Sequence, residues 1–253
     1  MDSHTDYDLK IIDQFTRWAK PFADLPIHAE QEAMASSLSA CAVTADMAVL
    51  DVACGPGIIT CALAAQANRV VGIDLTPAMV AQAKERQEAA GLTNVTWQVG
   101  NATDLPFADG SFDRVVTRYS FHHMPAPAAA LAEMKRVCRP DGRVVVIDAT
   151  PSPDTQLAYD RMEILRDPSH TSALTLEQLR ALGRAEGLRE LLIDGYRLEA
   201  LLQTLSDERD MAALTAMLEA DISNGKDWIG VGAWHSPEGI RFHFPVSIVA
   251  WER

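Results

Sequence analysis

Basic clusters are missing from this chain. Its 253 residues carry 22 Lys and Arg against 35 Asp and Glu, a net charge of −13. That balance repels a phosphate backbone, so DNA and structured RNA, tRNA and rRNA included, are not expected partners. Long apolar runs are missing too, and Met1-Asp2-Ser3-His4 has neither the positive charge nor the apolar core of a secretory leader. The expectation is a cytoplasmic protein with no membrane partner. Cysteine is scarce: Cys41, Cys54, Cys61 and Cys138 fall outside any C-x-x-C spacing and outside a disulfide-rich setting. They read as small, mostly buried thiols, with no zinc site. Linkers and internal repeats are absent as well, which suits one α/β unit long enough to bury a substantial core.

What is present is concentrated at Val49-Leu50-Asp51-Val52-Ala53-Cys54-Gly55-Pro56-Gly57. An acid stands near the end of an apolar strand, where an unpaired carboxylate is expensive, so Asp51 asks for a partner. Gly55 and Gly57 let the backbone approach a ligand without a Cβ in the way, and a helix beginning near Ile58 aims its amides at the same spot. Both signs of a zwitterion can be held there.

A second strand follows at Arg69-Val70-Val71-Gly72-Ile73-Asp74, with one helix over 58–67 between the two. In this βαβ layout an acid at the end of strand two accepts from ribose hydroxyls, and Asp74 has that position. The same spacing fits a nicotinamide-dependent oxidoreductase. Against it, the G-x-G-x-x-G reading ends on Thr60, and Asp51 would repel a pyrophosphate. Both points favour a nucleoside that carries an amino acid.

At this stage the motifs resemble class I S-adenosylmethionine-dependent methyltransferases, in the group similar to the ubiquinone/menaquinone-biosynthesis C-methyltransferases. Besides the first loop, the resemblance rests on three segments. One is Gly100-Asn101-Ala102-Thr103-Asp104-Leu105-Pro106-Phe107, similar to the stretch that meets adenine. The others are Ser111-Phe112-Asp113-Arg114-Val115-Val116 and the run from Leu131 through Arg139-Pro140-Asp141-Gly142. The resemblance implies S-adenosylmethionine as cofactor, held by Asp51, Ala53, Gly55, Gly57, Asp74, Leu75, Asn101, Ala102 and Arg118. Two positions depart from the pattern. Ala53 replaces the first glycine of the loop, and Asn101 replaces the usual adenine-segment acid, although its carbonyl oxygen can still accept from an amino group.

Periodicity and punctuation give the coarse structure. Residues 7–20 show a helical stripe of Leu9, Ile12, Phe15, Trp18 and Ala19, stopped by Pro21, and residues 27–41 form a second helix. Strands are expected over 47–52, 70–73, 95–99, 113–119 and 143–148, with helices over 58–67, 77–90 and 127–138. Thr175 caps a helix that Gly187 ends. Strands over 189–196 and 242–251, with a helix over 199–223 and a mixed stretch over 224–241, complete the sheet. The fold class is therefore α/β: a Rossmann-like, doubly wound, seven-stranded, mostly parallel sheet whose last strand is antiparallel. The organisation is one domain, with a helical lid over 1–41, a cofactor core over 42–150, and a substrate loop, helical insertion and last strands over 151–253.

Residues after a strand tip lie near the site in such sheets. Tyr119 and the pair His122 and His123 follow strand four, and either imidazole is a candidate base, His123 the preferred one. The alternative is one imidazole capping backbone and the other solvated. No carboxylate at helical spacing joins them, so no metal is expected. Arg166-Asp167-Pro168-Ser169-His170 reads as a substrate-facing lid, with Arg166 forking a carboxylate or phenolate and His170 as base; the alternative is a structural knot. Phe15 is a lid candidate, and Trp228 and Trp234 either wall a pocket or pack a core. The expected reaction is methyl transfer to a small molecule by in-line displacement, at O, N or C. A protein that holds the cofactor without transfer is the other alternative, and monomer and homodimer both remain open.

Overall fold

The computed structural model describes residues 3–24, 30–205 and 208–253. Two helices lead, α1 (Ser3–Asp24) and α2 (Gln31–Cys41). An alternating section follows: β1 (Ala48–Val52), α3 (Ile58–Ala64), β2 (Arg69–Asp74), α4 (Pro77–Ala89), β3 (Val95–Val99), β4 (Phe112–Arg118), α5 (Pro127–Val137) and β5 (Cys138–Ala149). The chain closes with α6 (Gln156–Arg166), α7 (Leu176–Ala185), β6 (Arg189–Leu201), α8 (Glu208–Asn224), β7 (Trp234–Ser236) and β8 (Gly239–Glu252). The strands form one sheet in the order β3-β2-β1-β4-β5-β8-β6, with β7 paired to β8. β1 to β5 run parallel, and β8 is antiparallel to β5, β6 and β7.

The core follows from the pleat. Successive side chains of a strand point to opposite faces, and a sheet covered on both faces needs apolar residues at every position. Leu50, Val71, Val115, Val144 and Val249 pack beneath α5 and α7 with Leu131, Met134 and Leu179. Their neighbours Val49, Val70, Val116, Val145 and Ile248 face the other way, against Ala33 and Cys41 of α2 and Ile59 and Leu63 of α3. A third cluster joins Tyr159 and Met162 of α6 to Leu214 and Leu218 of α8 and Phe242 of β8. Cys41, Cys54 and Cys138 are buried free thiols, and Cys61 is half-buried. Among the described residues no helix is long and apolar enough to cross a membrane.

Several expected boundaries differ. The sheet has eight strands rather than seven, because part of the mixed stretch turns back on β8, with Ser236 opposite Gly239. No helix begins at residue 199. β6 continues to Leu201 because β8 offers it a continuous ladder from Leu192 opposite Ala250 to Leu201 opposite Arg241, and that pairing overrides local helical preference. β5 starts at Cys138 rather than 143, through an irregularity opposite Phe112 and Arg114. α1 passes Pro21, whose missing amide removes one bond only a turn from the helix end. Glu30 caps α2, accepting from the Glu32 and Ala33 amides, whereas the expected start at Ile27 lies outside the described residues. The Thr175 cap holds: its hydroxyl accepts from the Gln178 amide, and the Gln178 side chain returns the bond.

Candidate active site

A cavity of about 180 Å³ lies at the carboxyl ends of β1 to β4, under α1. Its walls follow the strand order. The loop after β1 supplies Ala53, Cys54, Gly55 and Pro56; β2 ends there in Asp74 and Leu75; β3 leads into Gly100, Asn101, Ala102 and Thr103. From β4 come Arg118, Tyr119 and Ser120, then His123 on a single 3-10 turn (Phe121–His123) and Met124. α1 closes the top with Asp8, Ile11 and Phe15.

The loop after β1 is shaped by close approach. Ala53, Gly55 and Gly57 all take left-handed backbone, with φ of 55°, 51° and 76°. A Cβ on Gly57 would sit 2.6 Å from the Trp97 ring and 3.0 Å from the Ala83 Cβ, so the turn into α3 admits no side chain. Asp74 ties this loop down, accepting from the Gly55 amide at 2.8 Å and the Thr76 amide at 2.8 Å. Burial holds the Asp74 carboxyl above its ordinary range, and those amides oppose the shift.

Asp51 is 1% exposed and stands two residues ahead of Ala53. Its Oδ2 accepts from the Thr60 hydroxyl, while Oδ1 is buried with no hydrogen-bond partner. Thr60, which fits poorly in a dinucleotide fingerprint, is thus the acid's internal partner. Burial pushes the Asp51 carboxyl up to about 7 against that bond, with Asp74 raising it further and Arg118 lowering it. Arg118 is itself buried, its guanidinium 3.1 Å from the Tyr119 hydroxyl and stacked 4.3 Å from that ring.

Past β4, the Asp148 carboxylate organises the turn. It accepts from the Ser120 and Phe121 amides at 3.0 and 2.6 Å, and its other oxygen meets His122 Nδ1 at 2.5 Å. Burial opposes charge on His122, but Asp148 beside it raises the imidazole above its ordinary value. His123 points elsewhere. Its Nδ1 lies 3.2 Å from both the Ser169 carbonyl and the Ser169 hydroxyl, and its Nε2 lies 4.0 Å from the Asp167 carboxylate. Burial, with His122 second, pushes the His123 imidazole down to about 3. The Phe15 ring stands edge-on to this imidazole at 5.0 Å.

Of the residues read from sequence, Asp51, Gly57, His122, Arg166 and His170 do not line this cavity. The loop over 166–170 is not an open lid. Arg166 forks the buried Glu163 carboxylate at 2.9 and 2.7 Å, and His170 Nε2 meets Asp160 at 2.7 Å with its side chain wholly buried. Asp167 takes the Ser169 amide and hydroxyl. The polar side chains of that run are taken up by internal partners. Asn101 differs as well: its carbonyl oxygen accepts from the Thr103 amide and hydroxyl, and its amide donates to Asp8 at 3.1 Å. Trp228 is 59% exposed and Trp234 stacks on His243, so neither walls this cavity nor joins a core cluster. Asp8, Ile11 and Ser120 escaped the sequence reading. The spacing of Asp8, Ile11 and Phe15 by three and four was the available signal, masked by Leu9, which is 60% exposed.

The family described as "Methyltransferase domain" matches residues 50–146. The uncharacterized methyltransferase YcgJ of Bacillus subtilis is 32% identical over 176 residues, which cover 69% of this chain and 70% of that one. Its crystal structure superposes with a TM-score of 0.78 at 24% identity, over 88% of this chain and 99% of that one. A ubiquinone/menaquinone biosynthesis C-methyltransferase of Dinoroseobacter shibae is 41% identical over 118 residues, 44% of this chain and 47% of that protein. The chain spans only about half the length of that relative. With the sheet, the loop after β1 and these likenesses together, the chain belongs to the methyltransferase-domain family and is an S-adenosylmethionine-dependent methyltransferase.

Proposed function

We propose that the cavity under α1 holds S-adenosylmethionine and delivers its methyl group to a small, largely apolar acceptor with one nucleophilic atom. The observation that carries the placement is Asp51, which stands behind the cavity wall rather than on it: one of its carboxylate oxygens is buried without a partner, and Arg118, which does line the cavity, favours its charge. An ammonium and a carboxylate on one ligand match those two charges. Asp74 takes the ribose hydroxyls with the lone pairs its two amide bonds leave, and Leu75, Asn101 and Ala102 face the purine. Ala53 and Gly55 shape the wall, with Gly57 behind them giving the turn its close approach.

When bound, the sulfonium supplies an electrophilic methyl carbon. The chain's own part is positioning and exclusion of water. Phe15 and Ile11 cover the cavity, and Tyr119 with His123 orients the acceptor. A neutral imidazole on the cavity wall has one ring nitrogen that donates and one that accepts, so it can hold an acceptor hydroxyl in place. With a conjugate acid near 3 it is a weak base at neutral pH, so it orients the acceptor more than it deprotonates it. His122 acts through Asp148, by fixing the turn. Arg166 and His170 support the wall from behind. The lid over 1–41 and the core over 42–150 supply every described lining residue, so the segment over 151–253 buttresses the site.

Apolar walls favour an aromatic acceptor, in keeping with the quinone-pathway relative named above. The test is transfer of isotope from methyl-labelled cofactor to a panel of phenols, hydroquinones and small amines. Labelled phenol or quinol product supports the reading, whereas transfer to amines alone rejects the aromatic acceptor.

A further inference from the structure

Asn101 stands where the cavity would meet a purine amino group, yet both lone pairs of its oxygen are taken by the Thr103 amide at 3.0 Å and hydroxyl at 2.9 Å. An amino group bound there must find its acceptor elsewhere. Asp74, the carboxylate at the end of β2, accepts from two backbone amides and lies on the ribose side. The remaining carboxylate on the cavity wall is Asp8, carried by α1 and held by the Asn101 side-chain amide at 3.1 Å. A carboxylate has about four acceptor sites, so one donated bond leaves room for another.

Two contacts fix α1 at this height independently of Asp8. The Tyr7 hydroxyl donates to the Ser169 carbonyl, and the Phe15 ring stands edge-on to His123 at 5.0 Å and 88°. The acid is therefore presented by a docked helix rather than by a free terminus. We infer that Asp8 is a cofactor-recognition residue: its carboxylate, oriented by Asn101, accepts from the exocyclic amino group of the adenine, so that the docked α1 carries the group that reads the base. The inference rests on the purine placement proposed above.

The experiment is calorimetric titration of the full chain with S-adenosylhomocysteine and with S-inosylhomocysteine, in which a carbonyl oxygen replaces the amino group. Wild type should prefer the amino form roughly tenfold or more, the effect of one hydrogen bond to a charged acceptor. Asp8→Ala should lose that preference by weakening the adenosyl ligand while binding the inosyl ligand at least as well as wild type does, since the carboxylate no longer opposes its carbonyl oxygen, and that binding also shows that the variant is folded. Equal weakening of both ligands, or an unchanged preference, overturns the inference. Ala102→Leu separates the two layers. If it leaves both ligands bound normally, the purine is not against residues 100–103 and the placement itself fails. If it blocks both while Asp8→Ala keeps the wild-type preference, the placement stands and only the role of Asp8 falls.

Discussion

The His122 imidazole and the Asp148 carboxylate meet at 2.5 Å beneath the turn that carries His123 into the cavity. Asp148 also receives the Ser120 and Phe121 amides, so one buried acid fixes both the backbone and the first histidine of that turn. The second histidine lines the cavity. Adjacent identical residues thus do different work because the 3-10 turn sends their side chains in different directions.

Asp148→Ala should therefore cost about 3–5 kcal/mol of stability, the range for removing one partner of a buried pair. The pH dependence has a defined sign. His122 is raised, so its share is fully present below the ordinary 6.5 and is lost as pH rises through its folded value. Asp148 is lowered, so its share is present above 3.8 and is lost as pH falls through its folded value. Urea melts of wild type and Asp148→Asn should differ most near pH 5–6 and by less at alkaline pH, where the charge on His122 is lost and the amide bonds to Asp148 remain. A difference that grows above pH 8 would contradict the assignment.

Asp51 predicts proton release on cofactor binding. With its carboxyl pushed up to about 7, this group favours the folded ligand-free chain below the ordinary 3.8, and that contribution is lost as pH rises through 7. A ligand ammonium favours the ionised form. Titration with S-adenosylhomocysteine at pH 6, in buffers of different ionisation enthalpy, should show a fraction of a proton released, falling to none by pH 9. Asp51→Asn should abolish the release and weaken binding by at least tenfold, about 1.4 kcal/mol.

Gly57→Ala places a methyl group against Trp97 and Ala83 in a left-handed backbone. Strain of about 1–2 kcal/mol and overpacking of about 1–3 kcal/mol combine to lower stability. Cofactor affinity should drop with it, as the loop after β1 shifts. A chemical melt indistinguishable from wild type would refute the close-approach argument.

Arg166 separates a structural role from a substrate role. Arg166→Met leaves the Glu163 carboxylate buried without its fork and should destabilise the chain by about 3 kcal/mol. The double change Glu163→Leu with Arg166→Met should recover most of that loss. KM for the acceptor should stay within about twofold in the double variant, since Arg166 lies off the cavity wall. A KM rise of tenfold or more at unchanged stability would return Arg166 to the substrate.

What the sequence determined alone was whatever is written in neighbouring residues. The apolar pairs Val49-Leu50, Val70-Val71, Val115-Val116 and Val144-Val145 dictate strands buried on both faces, and the glycines at 55 and 57 dictate the turn after the first. That turn with its acid points to a nucleoside carrying an amino acid, and the resemblance of the motifs makes it S-adenosylmethionine. Tertiary structure decided whatever depends on partners far along the chain. Whether a polar side chain is free for a ligand is a question of who else satisfies it, and burial makes that satisfaction compulsory. Arg166 and His170 carry the same chemistry as Arg118 and His123. The first two pair with Glu163 and Asp160 away from the cavity, while the other two, with partners of their own, also line it. Asp8 and Asn101, 93 positions apart, meet only because α1 folds back over the sheet.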